Sequence, residues 1–186
     1  MSTPRRIAIY GPESTGKTEL ATKLAAHFGA PLVAEYARER WDQQGALTLE
    51  DMLPVAQEQW RREDEAARQA SKVLYYKPPG LVICDTDALT TMLWSDVLYG
   101  TSPDALRRGV EKRCKNYALY LLLDIDVPFA PDPQRCFPNP EDREKAMRIW
   151  RGALDRRHLP YELIRGTWAE REAAAIAAIE QLLRNL

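Results

Sequence analysis

Gly11-Pro12-Glu13-Ser14-Thr15-Gly16-Lys17-Thr18 is the stretch whose reading decides the fold. It has the spacing of a phosphate-binding loop, and it stands between Ile7-Ala8-Ile9-Tyr10, which reads as a strand, and a helical stretch. Glycines let the backbone curl so that successive N–H groups converge on phosphate oxygens, and the following helix adds its positive end. Lys17 is expected to bridge the β- and γ-phosphates, and the Thr18 hydroxyl to ligate Mg²⁺. Gly11, Glu13, Ser14, Thr15, Gly16, Lys17 and Thr18 form the expected nucleotide-binding set, with ATP and Mg²⁺ as cofactors. Glu13 is the awkward member. A carboxylate repels phosphates, so its side chain should point away from them, toward a cation or the acceptor side.

Outward from the loop, short apolar runs alternate with longer amphipathic stretches, the signature of an α/β fold with a parallel sheet. The strands are expected at Arg6 to Tyr10, Leu32 to Glu35, Leu81 to Asp85, Ala118 to Asp124 and Tyr161 to Arg165. Each is short, largely apolar and followed by polar residues, as for strands covered on both faces by helices. The implied architecture is a five-stranded parallel sheet with helices on both faces. At 186 residues and 21.2 kDa, the chain suits one domain over residues 1–186.

Ser102 before Pro103 and Asn139 before Pro140 are expected helix starts, each a capping residue ahead of a proline that needs no N–H at the first helical position. Thr167 with Glu170 has capping-box spacing before the last helix. A helical pattern from about Thr48 to Lys72 is interrupted by Pro54, which predicts a late start or a kink. Asp126 to Asn139 is too rich in proline for a regular element and reads as an ordered or closing loop, with the lid segment placed at about 126–143.

In an open parallel sheet, ligands sit beyond the carboxyl ends of the strands. Two acidic exits stand there. Asp85-Thr86-Asp87 follows Leu81-Val82-Ile83-Cys84, and Glu35-Tyr36-Ala37-Arg38-Glu39-Arg40 follows Leu32-Val33-Ala34. Asp85 is expected to hold magnesium through water or to accept the acceptor hydroxyl's proton, and Glu35 to serve the acceptor side. Asp87 is placed either against substrate or as the N-cap of the helix that begins at Ala88. Asp124 is read as a turn residue. A mobile arginine, Arg135 or Arg143, would supply a cation to the moving phosphoryl group. The tryptophans are read mostly as packing residues, with Tyr36, Trp41, Trp60 or Trp94 open as the one that stacks on a flat substrate ring. His27 and His158 lack metal-ligand spacing and are read as helix-surface residues.

Composition narrows the partners. Hydrophobic residues at 45% and charged residues at 28% exclude a disordered or fibrous chain, and the formal net charge of −1 predicts no general attraction to nucleic acid. The longest apolar runs, Tyr117 to Leu123 and Ala173 to Ile179, fall far short of the ~18–20 residues that cross a bilayer, and the N-terminus lacks a secretory pattern, so a cytoplasmic protein is expected. Three widely spaced cysteines suit reduced thiols.

The loop, then Glu35-Tyr36-Ala37-Arg38-Glu39, then Asp85-Thr86-Asp87 with Thr90-Thr91, resemble the nicotinamide riboside kinase domain of bacterial NadR-type proteins. Asp132-Pro133-Gln134-Arg135 resembles that family's Asp-Gly-x-Arg lid pattern, and Pro160-Tyr161 through Gly166 and Arg171 resembles its final strand and helix entry. The resemblance implies a P-loop kinase-like α/β fold, a three-layer sandwich with a lid loop, that transfers the γ-phosphoryl of ATP to the ribose 5′-hydroxyl of nicotinamide riboside. It implies catalytic roles for Lys17, Glu35, Asp85 and Arg135, acceptor contacts from Glu35, Tyr36, Arg38, Asp85 and Asp87, and metal held by Thr18 and Asp85. Two positions depart: Pro133 replaces the lid glycine, and Ala34 stands where some relatives carry an aromatic ring-holder. Upstream adenylyltransferase and DNA-binding domains have no room, so a stand-alone kinase is expected. The alternatives are a kinase for another nucleoside or hydroxyl metabolite, or a P-loop ATPase or switch. Thr86 after Asp85, rather than a glutamate suited to activating water, and the lack of an Asn-Lys-x-Asp pattern disfavour the latter.

Overall fold

In the computed structural model, which describes residues 4–72 and 80–184, strand β1 (Arg5–Tyr10) runs through the middle of the sheet. Around it lie β2 (Leu32–Val33), β3 (Leu81–Asp85), β4 (Tyr117–Leu123) and β5 (Tyr161–Ile164), in the order β2-β3-β1-β4-β5. All pairings are parallel, so every strand ends on the same side. The helices are α1 (Lys17–Phe28), α2 (Tyr36–Gln44), α3 (Met52–Lys72), α4 (Ala88–Tyr99), α5 (Asp104–Arg113), α6 (Pro140–Asp155) and α7 (Trp168–Arg184).

Alternation along the strands builds two cores. Ile7 and Ile9 of β1 and Leu119, Leu121 and Leu123 of β4 pack against Leu20 and Leu24 of α1 and Ile179 of α7. Ala8, Tyr10, Tyr120 and Leu122 face the other way, toward α3, α4 and α6, where Trp150 is fully buried. Each such aliphatic side chain contributes about 1.5–3 kcal/mol by leaving water, against about 0–1 kcal/mol for a surface ion pair, so the sheet is fixed by its two greasy faces. No helix among the described residues is long and apolar enough to cross a membrane.

Several boundaries differ from the sequence expectation for local reasons. Strand β2 stops at Val33, because only Leu32 and Val33 find partners on β3, and Glu35 lies past it as the residue before α2. Pro54 neither kinks nor delays α3 beyond a single-turn 3₁₀ segment (Leu49–Asp51), because it sits in the first turn, where no N–H is needed. Ser102 caps nothing: its hydroxyl donates to Met92 O and Asp96 Oδ1, and α5 begins only at Asp104. Asn139 precedes α6 with no capping bond and instead donates to Asp142 at 3.1 Å. Residues 140–143, counted with the lid from sequence, belong to α6. His158 lies in the turn after α6, at φ +52°, rather than on a helix. The Thr167–Glu170 capping box forms as read.

Candidate active site

At the end of β1 the chain enters the phosphate loop through Gly11, whose φ of +143° and close approach to Leu123 O, 2.9 Å from where a Cβ would stand, leave room for glycine only. Ser14 at φ +57° and Thr86 at φ +73° are the non-glycine residues in left-handed backbone here, one in the loop and one just after Asp85. Such strain persists where the surrounding fold over-determines it, and here it collects at strand ends. The loop is braced from behind by α7. Arg171, 1% exposed, donates to Thr15 O at 3.1 Å, Gly166 O at 2.9 Å and Asp124 O at 2.8 Å, and pairs with Asp126. A buried guanidinium demands this many partners, and it gains them by tying the loop to the ends of β4 and β5.

A cleft of about 540 Å³ opens over the loop, lined among others by Ser14 to Thr18, Glu35, Asp85 and Arg135. Lys17 Nζ donates to Pro12 O at 2.7 Å, and burial lowers its pKa against the pull of Glu35, Asp85 and Glu13. Burial raises the pKa of Asp85, opposed by the Thr18 hydroxyl and Lys17, and Asp85 Oδ1 is buried with no partner. An orphaned carboxylate oxygen beside a hydroxyl suits a hard cation that keeps most of its own waters. Among the described residues, no three His, Cys, Asp or Glu side chains converge as a metal cluster.

Beside the cleft lies an apolar cavity of about 270 Å³, with Trp41, Leu47, Met52, Trp94 and Tyr99 in its wall. The two share Glu35, Arg38, Thr90, Trp94 and Gln134, so Glu35 stands at the seam between a phosphate-lined space and an aromatic one. Burial raises its pKa to about 7, with Lys17 pulling it down and Asp85 pushing it up.

The lid segment spans both spaces. Glu13 points away from the loop's interior, and its Oε1 accepts the N–H groups of Cys136 and Phe137 at 2.8 and 2.6 Å. Ala130 N–H donates to Ser14 Oγ at 2.8 Å, Arg38 pairs with Asp132 at 2.8 Å, and Phe137 stacks on Trp94 with ring centres 5.4 Å apart. Arg135 faces the cleft, its guanidinium on Ala130 O, whereas Arg143 is turned to Val127 O at 2.9 Å.

Not every sequence candidate comes to this place. Both carboxyl oxygens of Asp87 are engaged in the fold, one by Thr90 N–H at 3.1 Å and one by the Tyr120 hydroxyl at 3.0 Å, and Asp87 lines neither cavity. The Tyr36 ring lies under the Arg62 guanidinium, 4.5 Å away, outside both. Trp60 packs on Gly109, and Trp168, 49% exposed, rests on Gly16 rather than in a core. Sequence reading left the ring-holder open, and the structure puts Trp41 and Trp94 in the apolar wall. It missed Leu47, Met52 and Tyr99, which carry no local motif, and the lid grip of Glu13, for which the awkward carboxylate was the only signal.

A family profile described as an AAA domain matches residues 6–171. The chain belongs to this AAA domain family. Within it, the chain is similar to the trifunctional NAD biosynthesis/regulator protein NadR of Escherichia coli (strain K12), at 25% identity over 162 residues, covering 84% of this chain and 37% of that protein. The chain thus spans about a third of the length of the curated relatives it matches. Among solved structures, NadR protein in complex with NR aligns with a TM-score of 0.73 at 21% identity, over 97% of this chain and 50% of that one. NadR protein in complex with NAD and AMP-PNP aligns at 0.69, with the same identity, over 97% and 49%. Deoxyadenosine kinase from M. mycoides aligns at 0.61 and 10% identity, over 95% and 99%. This AAA domain therefore has the P-loop kinase fold, and the NadR-type resemblance read from the sequence returns in both kinds of comparison.

Proposed function

We propose that the protein, as a single kinase domain, transfers the γ-phosphoryl group of ATP to the 5′-hydroxyl of nicotinamide riboside, giving nicotinamide mononucleotide and ADP. The observation that carries the reading is the seam: a phosphate cleft and an aromatic cavity that meet at a half-buried carboxylate, Glu35. The match to NadR proteins, one of them in complex with NR and another with AMP-PNP, supports the choice of donor and acceptor.

In this reading, the loop amides and Lys17 hold the triphosphate, and Thr18 with Asp85 would hold a magnesium ion, which supplies charge neutralisation at the phosphates. Trp41 and Trp94 hold the flat ring of the acceptor, so the cavity needs no aromatic at Ala34, which lines the phosphate cleft instead. Arg38, Asp132 and Gln134 close the ribose region, and Arg135 brings a cation to the transferring group. Glu35 takes the hydroxyl proton as the oxygen bonds to γ-phosphorus and the bond to the ADP oxygen breaks. With a pKa near 7, it is poised to accept that proton at neutral pH.

The test is mass-spectrometric detection of nicotinamide mononucleotide from purified protein, ATP, Mg²⁺ and nicotinamide riboside. Phosphorylation of other ribosides but not this one would overturn the acceptor, and ATP binding without transfer to any riboside would overturn the kinase reading.

A further inference from the structure

Glu35 is the N-cap residue of α2, with extended backbone at φ −66° and ψ 110°, yet its side chain makes no capping hydrogen bond. The first N–H groups of a helix have no partner inside it, and the N-cap side chain ordinarily accepts one of them. The first of these N–H groups, that of Tyr36, is satisfied from across the fold: Gln59 Oε1 on α3 accepts it at 3.0 Å. Gln59 is 2% exposed, so its carboxamide is committed to the fold rather than to solvent.

Only the oxygen of a carboxamide accepts, so the side chain must also be oriented. Glu63, 0% exposed, does this: Gln59 Nε2 donates to its Oε1 at 3.3 Å, while the Tyr117 hydroxyl donates to its Oε2 at 2.7 Å and Arg6 stands 4.0 Å away. A buried relay thus runs from β4 through α3 to the first residue of α2. The charges acting on Glu63 are Asp87 and Arg6, and those acting on Glu35 are Lys17, Asp85 and Arg38. The link between them, Gln59, is neutral and meets Tyr36 by a hydrogen bond, so the relay reaches Glu35 through geometry.

The geometry points to Gln59, oriented by Glu63, as a positioning residue for phosphoryl transfer: by holding the first N–H of α2, on the residue next to Glu35, it fixes where that carboxylate stands at the seam. This rests on the reading of Glu35 as proton acceptor. The experiment is a double-mutant cycle of Gln59→Met, which keeps the length of the side chain but offers Tyr36 no acceptor, with Glu35→Gln. Gln59→Met is expected to lower kcat about 10–100-fold, as sub-ångström misplacement of a reacting group does, with ATP affinity by calorimetry held within about twofold. In the Glu35→Gln background the same change should have no further effect on kcat. Glu63→Gln, whose amide oxygen still accepts from Gln59 while its NH₂ group faces the Tyr117 hydroxyl, should keep kcat within about threefold. Unchanged kcat in Gln59→Met, or an equal fold-loss in both backgrounds, overturns the relay. Full kcat in Glu35→Gln alone overturns the proton-acceptor reading and the relay with it. Should Gln59→Met fail to fold, Gln59→Asn, too short to reach Tyr36, carries the same cycle with the same outcomes.

Discussion

The two cavities that meet at Glu35 are built by different means. The phosphate side is centred on a run of consecutive residues, Ser14 to Thr18, whose chemistry is mainly that of the backbone and one lysine, with Glu35, Asp85 and Arg135 at its rim. The aromatic side draws its wall from α2, the segment after it, α4 and the lid, so residues as distant as Trp41, Trp94 and Cys136 must be brought together by the fold. Backbone recognition is written in a short motif, because every P-loop kinase uses the same amide cradle for the same triphosphate. Side-chain recognition is assembled by topology and can drift with each acceptor.

The comparison can be broken by substitutions on either side of the seam. Lys17→Ala should have the largest effect, a loss of about 10²–10⁴ in kcat, because a cation aimed at developing charge acts in the transition state. Binding of the acceptor, followed by tryptophan fluorescence, should stay within a few fold. Glu35→Gln comes next, with about 10²–10⁴ lost in kcat and little change in ATP affinity by calorimetry. The pH dependence follows with it. Since the Glu35 pKa is raised to about 7, the group is protonated below that pH and cannot take a proton, so kcat/KM should climb through pH 7 to a plateau. Glu35→Gln should abolish that limb. The same shift works against stability: a raised carboxylate pKa favours the fold at low pH, and that contribution fades as pH rises through 7.

Trp41→Ala, in the wall of the aromatic cavity alone, should raise the acceptor KM by about 10–100-fold, the worth of one stacked ring, and leave the KM for ATP nearly unchanged. Equal effects on both would mean that the two spaces are not separate recognition sites. The smallest expected effect is that of Glu13→Gln. It keeps an oxygen for the lid but loses the charge that strengthens two N–H bonds, a cost of about 1–2 kcal/mol. Limited proteolysis should then cut the segment between Asp124 and Asn139 several-fold faster, and an unchanged cleavage rate would show that the lid is held elsewhere.

Much of this was legible in the sequence, for reasons that differ by element. The loop announces itself because glycine spacing is a backbone requirement. β3 and the Thr167–Glu170 capping box are read correctly, because apolar runs and Thr-x-x-Glu spacing act locally. Asp85 is legible as a strand-end carboxylate. Glu35 is legible as a charged exit but not as the end of a strand, because β2 sits at the sheet edge and its length depends on how far β3 offers partners. Asp87 and Tyr36 look like site residues by proximity in sequence, yet α4 needs the Asp87 carboxylate as a cap and Arg62 draws the Tyr36 ring aside. Ser102 shows the converse: a hydroxyl before a proline looks like a cap, but Met92 O and Asp96 reach it first.

The brace on the phosphate loop has a consequence for how the molecule comes into being. The carbonyl of Thr15 is held by Arg171, 156 positions further along the chain, on a helix that docks against α1. Contacts of such separation form late, since their loop-closure entropy must be met before they stabilise anything. Order in the phosphate loop therefore waits on the docking of α7, which makes nucleotide binding, in the proposed reading, a reporter of that docking.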